Sequence, residues 1–529
     1  MSSSVRTCLL VAAITVAGCS RYVDADVDGG FKGDGGLGND GGGVSLPWFV
    51  PLSLQKDVDI LFVIDNSGSM GEEQQNLVQN FRRLTEALRS DRLGSDGTGK
   101  PCNEGTREGC RIPNVHIGVV STDLGAGSYG LPTCERQGGD AGRLQKDARV
   151  AGCQPPADAY ISYIDGLTNI PNAGSDTVQA VDDAFTCIAR LGTDGCAFES
   201  QLEAGRRALQ PNANPGFLRD TALLAIVFVT DEDDCSAQKQ NLFDPSQQAL
   251  GDPLGPLTSF RCFEFGVQCD INDRNTIGAR QGCVPAQDWL YNVQTYVQFF
   301  KSLKQPGGVI VAAIAGPTDR VEVGKDGPNP VLKASCTSAA GNAVPGIRIR
   351  AVTDAFGSDG QYTSICEANF GPAIEAVGKK ILSKLSSACL PRALLTSNGG
   401  VACQHGDRFG AGAGGVCANS CLDKASCTVT EIVGVGTPSQ SSTKLDKCPI
   451  ELWYPGDWRK DRDCGTNCPC WRIVKKDTKD CDPAASGSPY ALDVLRQGQA
   501  AAGVMAEVRC MSSDRPWGGP ELASLPQCL

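Results

Sequence analysis

Histidine is nearly missing from this chain: among 529 residues only His116 and His405 occur. Such scarcity disfavours His-based acid–base catalysis and His-rich metal sites. The H-E-x-x-H pattern of the common zinc peptidases does not appear. Positive charge is also short, with 48 Lys plus Arg against 60 Asp plus Glu and a net charge of −12. Nucleic acid and anionic membrane surfaces would repel such a chain. No internal repeat is visible. The apolar stretch Leu9–Ala17 is too short for an ordinary membrane span.

Cysteine is abundant instead, with 26 residues, far too many for a reducing cytosol. Setting aside Cys8 and Cys19, the remaining 24 are even in number and compatible with twelve disulfides. Spacing suggests local loops closed by Cys102 with Cys110, Cys134 with Cys153, Cys187 with Cys196, and Cys269 with Cys283. The chain is expected to mature outside the cytoplasm.

The amino terminus agrees. Arg6 precedes the Leu9–Ala17 stretch, which ends Val16-Ala17-Gly18-Cys19. This end resembles the lipobox of bacterial lipoproteins, with Val16 where Leu is usual. The resemblance implies a signal peptide over residues 1–18, cleavage before Cys19 and acylation of that residue. A lipid anchor then ties the chain to a membrane without a transmembrane helix. Ser20, in place of the Asp that retains lipoproteins at the inner membrane, favours the outer membrane or cell surface; periplasm or secretion is the alternative.

Residues 19–54 read as a tether rich in Asp and Gly, with little to bury. Asp24–Gly29 imitates the start of an EF-hand loop, but Gly35 stands where a bidentate Glu is required. Over 55–390, apolar runs at Asp59–Asp65, Val115–Asp123, Leu223–Asp231 and Val309–Ala315 predict buried strands, with a further extended segment at Ile347–Thr353. Amphipathic spacing predicts helices at Glu72–Arg89, Asp176–Ala189, Glu199–Leu209, Trp289–Leu303 and Pro372–Leu385. The expected fold class is α/β, a doubly wound and mostly parallel sheet with Cys-rich loop insertions. Residues 391–529 are expected to form a small disulfide-rich, mostly β domain with strands near Cys427–Val433, Trp471–Val474 and Val504–Val508.

The most informative segment is Asp59-Ile60-Leu61-Phe62-Val63-Ile64-Asp65-Asn66-Ser67-Gly68-Ser69-Met70. A buried strand delivers a carboxylate and two hydroxyls to its carboxyl end, where open α/β sheets place their ligands. Such hard oxygens suit Mg²⁺, Mn²⁺ or Ca²⁺. Together with Ala222–Asp231, a second apolar strand ending in Thr-Asp, this Asp-x-Ser-x-Ser run resembles the metal-ion-dependent adhesion site of von Willebrand factor type A (VWA) domains. The resemblance implies a Mg²⁺ site built from Asp65, Ser67, Ser69 and Asp231, with a Thr from a middle loop. Thr193 is the choice; Thr168 and Thr177 are its rivals. Glu232 stands where the family often has Gly. A Cys187–Cys196 disulfide would stiffen the Thr193 loop; Glu232, Asp233 and Asp234 crowd the same rim and read as a solvated acidic turn, with a second cation site as the alternative.

Such a site keeps coordination positions for water, and a partner's Glu or Asp carboxylate can displace one. The expected function is therefore cation-dependent binding of a protein ligand by an envelope lipoprotein that is not an enzyme. The alternatives are a structural envelope component with a vestigial site, contacting partners through its carboxyl-terminal domain, and an exported enzyme. Ala126–Gly130 only loosely imitates a nucleophile elbow. Cys464–Cys470 reads as disulfides. Trp453, Tyr454, Trp458 and Trp471 read either as a binding platform or as a substitute core.

Overall fold

The computed structural model describes residues 47–51, 57–90 and, with short interruptions, 95–526. The signal peptide, Cys19, the EF-hand imitation and most of the tether lie outside the described residues.

Four strands are the apolar runs of the sequence: β2 (Asp57–Ile64), β3 (Asn114–Ser121), β6 (Leu223–Val229) and β10 (Val309–Ala315). They are buried on both faces and run parallel in the order β10-β6-β2-β3. β15 (Gly360–Ser364) extends one edge in parallel. At the other edge β4 (Ile161–Ile164) and β5 (Leu167–Thr168) turn antiparallel.

Alternation along β2 sends successive side chains to opposite faces. Ile60, Phe62 and Ile64 join a core with residues of α1 (Gly71–Asn80), α2 (Arg82–Leu88), α3 (Thr177–Ala189) and α8 (Gly371–Ser386). Phe81 stacks on Phe185 there at 3.6 Å between ring centres. Leu61 and Val63 face α4 (Gln201–Ala208), α6 (Val293–Ser302) and α7 (Ile347–Asp354). Burial of this kind stabilises by about 25 cal/mol per Å² of apolar surface.

The rest of the chain is largely β. A second seven-stranded sheet has the order β1-β21-β17-β18-β19-β20-β16. Its members are β1 (Pro47–Pro51), β16 (Ala388–Cys389), β17 (Cys427–Val433), β18 (Ser441–Lys447), β19 (Cys470–Lys475), β20 (Tyr490–Leu495) and β21 (Met505–Cys510). All its pairings are antiparallel except β18 with β19. β1 falls within the stretch read as tether, and β16 before residue 391. This sheet therefore takes both edges from outside the segment expected to form it.

Among the insertions, α5 (Phe260–Gly266) leads into β7 (Val267–Gln268), which pairs with β9 (Val284–Pro285). β11 (Val321–Asp326) lies between β8 (Gly278–Arg280) and β12 (Asn329–Leu332). β13 (Cys336–Ser338) and β14 (Gly341–Ala343) form a hairpin.

The expectation of a doubly wound, mostly parallel α/β fold with a small appendix is corrected. Both large sheets mix parallel and antiparallel pairs, and strands far outnumber helices among the described residues. The chain is a mixed-sheet, disulfide-rich, mostly β protein. Long apolar runs advertise four strands and shorter β-type segments advertise β17, β19 and β21; most of the others are only two to five residues long, too short for periodicity to show.

Ile347–Thr353 is also corrected, from extended to helical. The Asp233 carboxylate accepts from the N–H groups of Arg348 (3.0 Å) and Ile349 (3.3 Å), satisfying the first turn of α7. Arg348 is wholly buried. Its guanidinium donates to Asp234 (3.2 Å) and to the carbonyls of Gly266, Ala286 and Tyr291. Asp233 and Asp234 are thus core groups and no part of a solvated turn.

Eleven disulfides join described cysteines. Cys102–Cys110 and Cys269–Cys283 pair as expected. Cys134 pairs with Cys196 and Cys153 with Cys187, correcting the two other local pairings. Cys464–Cys468 and Cys448–Cys470 are disulfides. Trp453 and Trp471 are 2% exposed, their rings 5.6 Å apart, so they serve as core and not as a platform. Among the described residues no helix is long and apolar enough to cross a membrane. The disulfides fit a chain that matures outside the cytoplasm.

Asp182 on α3 is buried and accepts from the Thr85 hydroxyl at 2.8 Å. Burial raises its pKa from 3.8 to about 7. Below pH 4 both folded and unfolded chains hold this proton. Between there and pH 7 the folded chain keeps a proton that the unfolded chain loses, so stability falls as pH rises. We expect Asp182→Asn to flatten that fall and to stabilise the chain at pH 8 by on the order of 2–4 kcal/mol, measured by urea unfolding. Unchanged pH dependence would refute this.

Candidate metal centre

Because β2 lies between β6 and β3, the loops after these three strands meet at one end of the sheet. Asp65, the first residue beyond β2, is fully buried and still held to the ladder, its N–H donating to the Val229 carbonyl at 2.9 Å. Its Oδ1 accepts from the Ser67 N–H at 2.8 Å, folding the loop back on itself. Its Oδ2 accepts from the Thr230 hydroxyl at 2.6 Å, which ties the first loop to the third. Ser67 and Ser69 hydroxyls lie 3.4 Å apart. Asp231 is 4% exposed, and its Oδ1 has no hydrogen-bond partner. Ser69 is the hydroxyl that acts on its carboxylate. Asp65, Ser67, Ser69 and Asp231 are thus brought together.

The middle loop is docked by backbone contacts. The Gln74 amide donates to the carbonyls of Asp65 (2.8 Å) and Gly192 (2.9 Å) and accepts from the Gly192 N–H (3.1 Å). Gly195 donates to the Asn66 carbonyl at 2.8 Å. Glycine is required at 195: a Cβ there would lie 2.4 Å from the Asn66 side chain. Cys196 is stapled to Cys134 in the loop after β3.

Thr193 lies beside the site. It is exposed, its methyl group faces Gly71, and no hydrogen bond links it to the other four residues. The rivals Thr168 and Thr177 lie elsewhere: Thr168 pairs with Tyr163 across the β4–β5 hairpin, and the Thr177 hydroxyl acts on the Tyr163 phenol.

Other residues were invisible as site components in the sequence. Seven buried side-chain oxygens among the described residues have no hydrogen-bond partner. Five of them, on Asn66, Glu73, Thr122, Gln201 and Asp231, belong to the segments that meet here. Glu73 on α1 is 2% exposed beneath the β13–β14 hairpin. Gly341, at φ 134°, permits this, since a Cβ there would stand 1.8 Å from Glu73 Oε1. The same hairpin ends with the Val344 N–H donating to the Asp231 carbonyl at 2.9 Å. Glu72 and Glu73 read in sequence as ordinary first-turn acids. Their helical spacing signals only that one points inward.

Five acids therefore share this end of the sheet, and their mutual field is uncompensated. Burial raises the Asp65 pKa despite the Thr230 and Ser67 hydrogen bonds. Burial, then the charges of Asp65 and Glu232, push Asp231 up to about 8. Glu73 and Glu232 rise to about 7, chiefly by burial and secondarily by neighbouring acids. Glu199, 1% exposed, goes well above the usual range through burial, Glu232 and Asp65. No Lys or Arg is among the main influences on any of these five. Arg136, in the loop after β3, is engaged by Asp123 and Asp140.

Among the described residues no three His, Cys, Asp or Glu side chains form a ready-made metal cluster. The set of Asp65, Ser67, Ser69 and Asp231 is half hydroxyl. Its unpartnered buried oxygen and unbalanced negative charge fit a hard divalent cation.

No protein-family model matches the chain, and no curated protein matches it. Among solved structures, similarity is found to the pilus adhesin SpaC from Lactobacillus rhamnosus GG, at 10% identity and TM-score 0.28. That alignment covers 89% of this chain and 41% of SpaC, so the chain spans about two fifths of that protein's length. BatB from Bacteroides thetaiotaomicron shows 12% identity and TM-score 0.22, over 62% of this chain and 98% of BatB. The adhesive tip pilin GBS104 from Group B Streptococcus agalactiae shows 11% identity and TM-score 0.24, over 89% and 81%.

The folded Asp231 pKa stands near 8 against an ordinary 3.8, so stability in chelator should fall as pH rises between those values. We expect Asp231→Asn, in EDTA at pH 8, to exceed wild type by on the order of 1–3 kcal/mol and to match it at pH 4. Differential scanning calorimetry decides; a mutant less stable at pH 8 would contradict the charge argument.

Proposed function

We propose that the chain is a cell-envelope protein that binds a protein ligand through a divalent cation at an adhesion site of the VWA kind. The observation that carries this reading is the buried, unpartnered Asp231 Oδ1 set beside Asp65, Ser67 and Ser69. Mg²⁺, with Mn²⁺ or Ca²⁺ as substitutes, would be held by the Ser67 and Ser69 hydroxyls and the Asp231 carboxylate, with Asp65 acting through water. The bound ion supplies a positive coordination position for a carboxylate.

The chain's own contribution is orientation. Thr230 and the Ser67 N–H hold the Asp65 carboxylate on both oxygens, so it cannot swing out to solvent. A Glu or Asp of the partner would complete the shell, and the stapled loops around it would select the partner. Acylation at Cys19 would attach the chain to the outer membrane and expose the site.

The test is capture of a partner from envelope extract by the purified chain. We expect EDTA to abolish capture and Mg²⁺ or Mn²⁺ to restore it. Asp65→Ala or Ser67→Ala should reduce capture by at least about tenfold while far-UV circular dichroism stays unchanged. Capture indifferent to both chelation and these substitutions would refute the reading.

A further inference from the structure

We propose that the middle loop serves the cation through the Glu199 carboxylate, with Glu232 beside it, and not through the Thr193 hydroxyl. This rests on the cation-dependent reading above and alters its ligand set.

Topology places Glu199 where a middle-loop ligand has to be. Its carbonyl accepts from the Cys235 N–H at 2.7 Å, in the loop after β6. The next residue, Ser200, donates its N–H to the Thr122 carbonyl at 3.0 Å, just beyond β3. The Glu199–Ser200 segment is thus tied to the loops after β6 and β3, the two strands that flank β2, and Asp65 follows the end of β2. The charged groups that act most strongly on its carboxyl are Glu232 and Asp65. Thr193, six residues before it, is instead exposed.

An independent feature points to a ligand in the same hollow. Gln201 is fully buried, and its Nε2 donates to Thr230 Oγ1 (2.8 Å) and towards the Glu232 carbonyl (3.5 Å). Its Oε1 has no partner. This unpartnered amide oxygen adds an acceptor to the carboxylates of Asp65, Glu199 and Glu232, which act on one another with no Lys or Arg among their main influences. A hard cation is the ligand class that satisfies all of them. Replacing a hydroxyl by a carboxylate binds the ion more tightly but lowers the positive charge left for a partner's acid.

Calorimetric titration of the full chain with MnCl₂ tests this, alongside Asp65→Ala as a reference. We expect Thr193→Ala to bind Mn²⁺ within about twofold of wild type and Glu199→Gln to bind at least about tenfold more weakly. Glu199→Gln equal to wild type, or Thr193→Ala as impaired as Asp65→Ala, overturns the proposal while leaving cation dependence intact. A wild-type chain that takes up no Mn²⁺ overturns both readings. Should thermal unfolding in EDTA show that Glu199→Gln does not fold, Glu232→Gln decides: weakening of at least about fivefold supports the proposal, and unchanged affinity overturns it.

Discussion

Repulsion among buried carboxylates is the constraint around which this end of the molecule is built. Asp65, Glu73, Glu199, Asp231 and Glu232 converge where β2, β3 and β6 end, and among the described residues no Lys or Arg is a main influence on them. Elsewhere the chain does neutralise buried acids. Arg348 meets Asp234 in the core, and Arg219 and Lys304 meet Asp59 at the opposite end of β2. The contrast makes the uncompensated cluster a property of that location and not of the chain's acidity in general.

Holding such a cluster together requires a rigid frame. The parallel strands supply one side of it, with apolar side chains buried on both faces. Disulfides supply the other, together with a small loop core that includes Leu131, Phe198, Leu242 and Phe243. Cys134–Cys196 anchors the middle loop to the loop after β3, Cys235–Cys262 follows the acidic turn, and Cys336–Cys366 holds the hairpin over Glu73. Each staple restricts a segment whose backbone is already tied to the end of a strand.

The strands at Asp57–Ile64, Leu223–Val229 and Val309–Ala315 were legible because continuous apolar runs have one cheap solution, burial on both faces. Asp65, Ser67, Ser69 and Asp231 were legible because they follow those runs directly. Ile347–Thr353, expected to be extended, is helical because Asp233 and Asp234 are in place to receive the Arg348 N–H and guanidinium. The disulfide partners of Cys134 and Cys187 misled for a related reason: proximity in sequence is a poor guide once loops from separate strands converge. Thr193 lies in the loop docked beside Asp65 and is exposed there.

Residue order alone therefore determined the buried strands, the oxygen-rich turns that follow two of them, and the need for an oxidising compartment. These depend on neighbours a few positions apart, or on composition. Tertiary structure decided the mixed-sheet class, the inward turn of Glu73 and Glu199, and the contrast between compensated and uncompensated acids. Those outcomes depend on which loops face one another, and that is set by the order in which β6, β2 and β3 lie side by side.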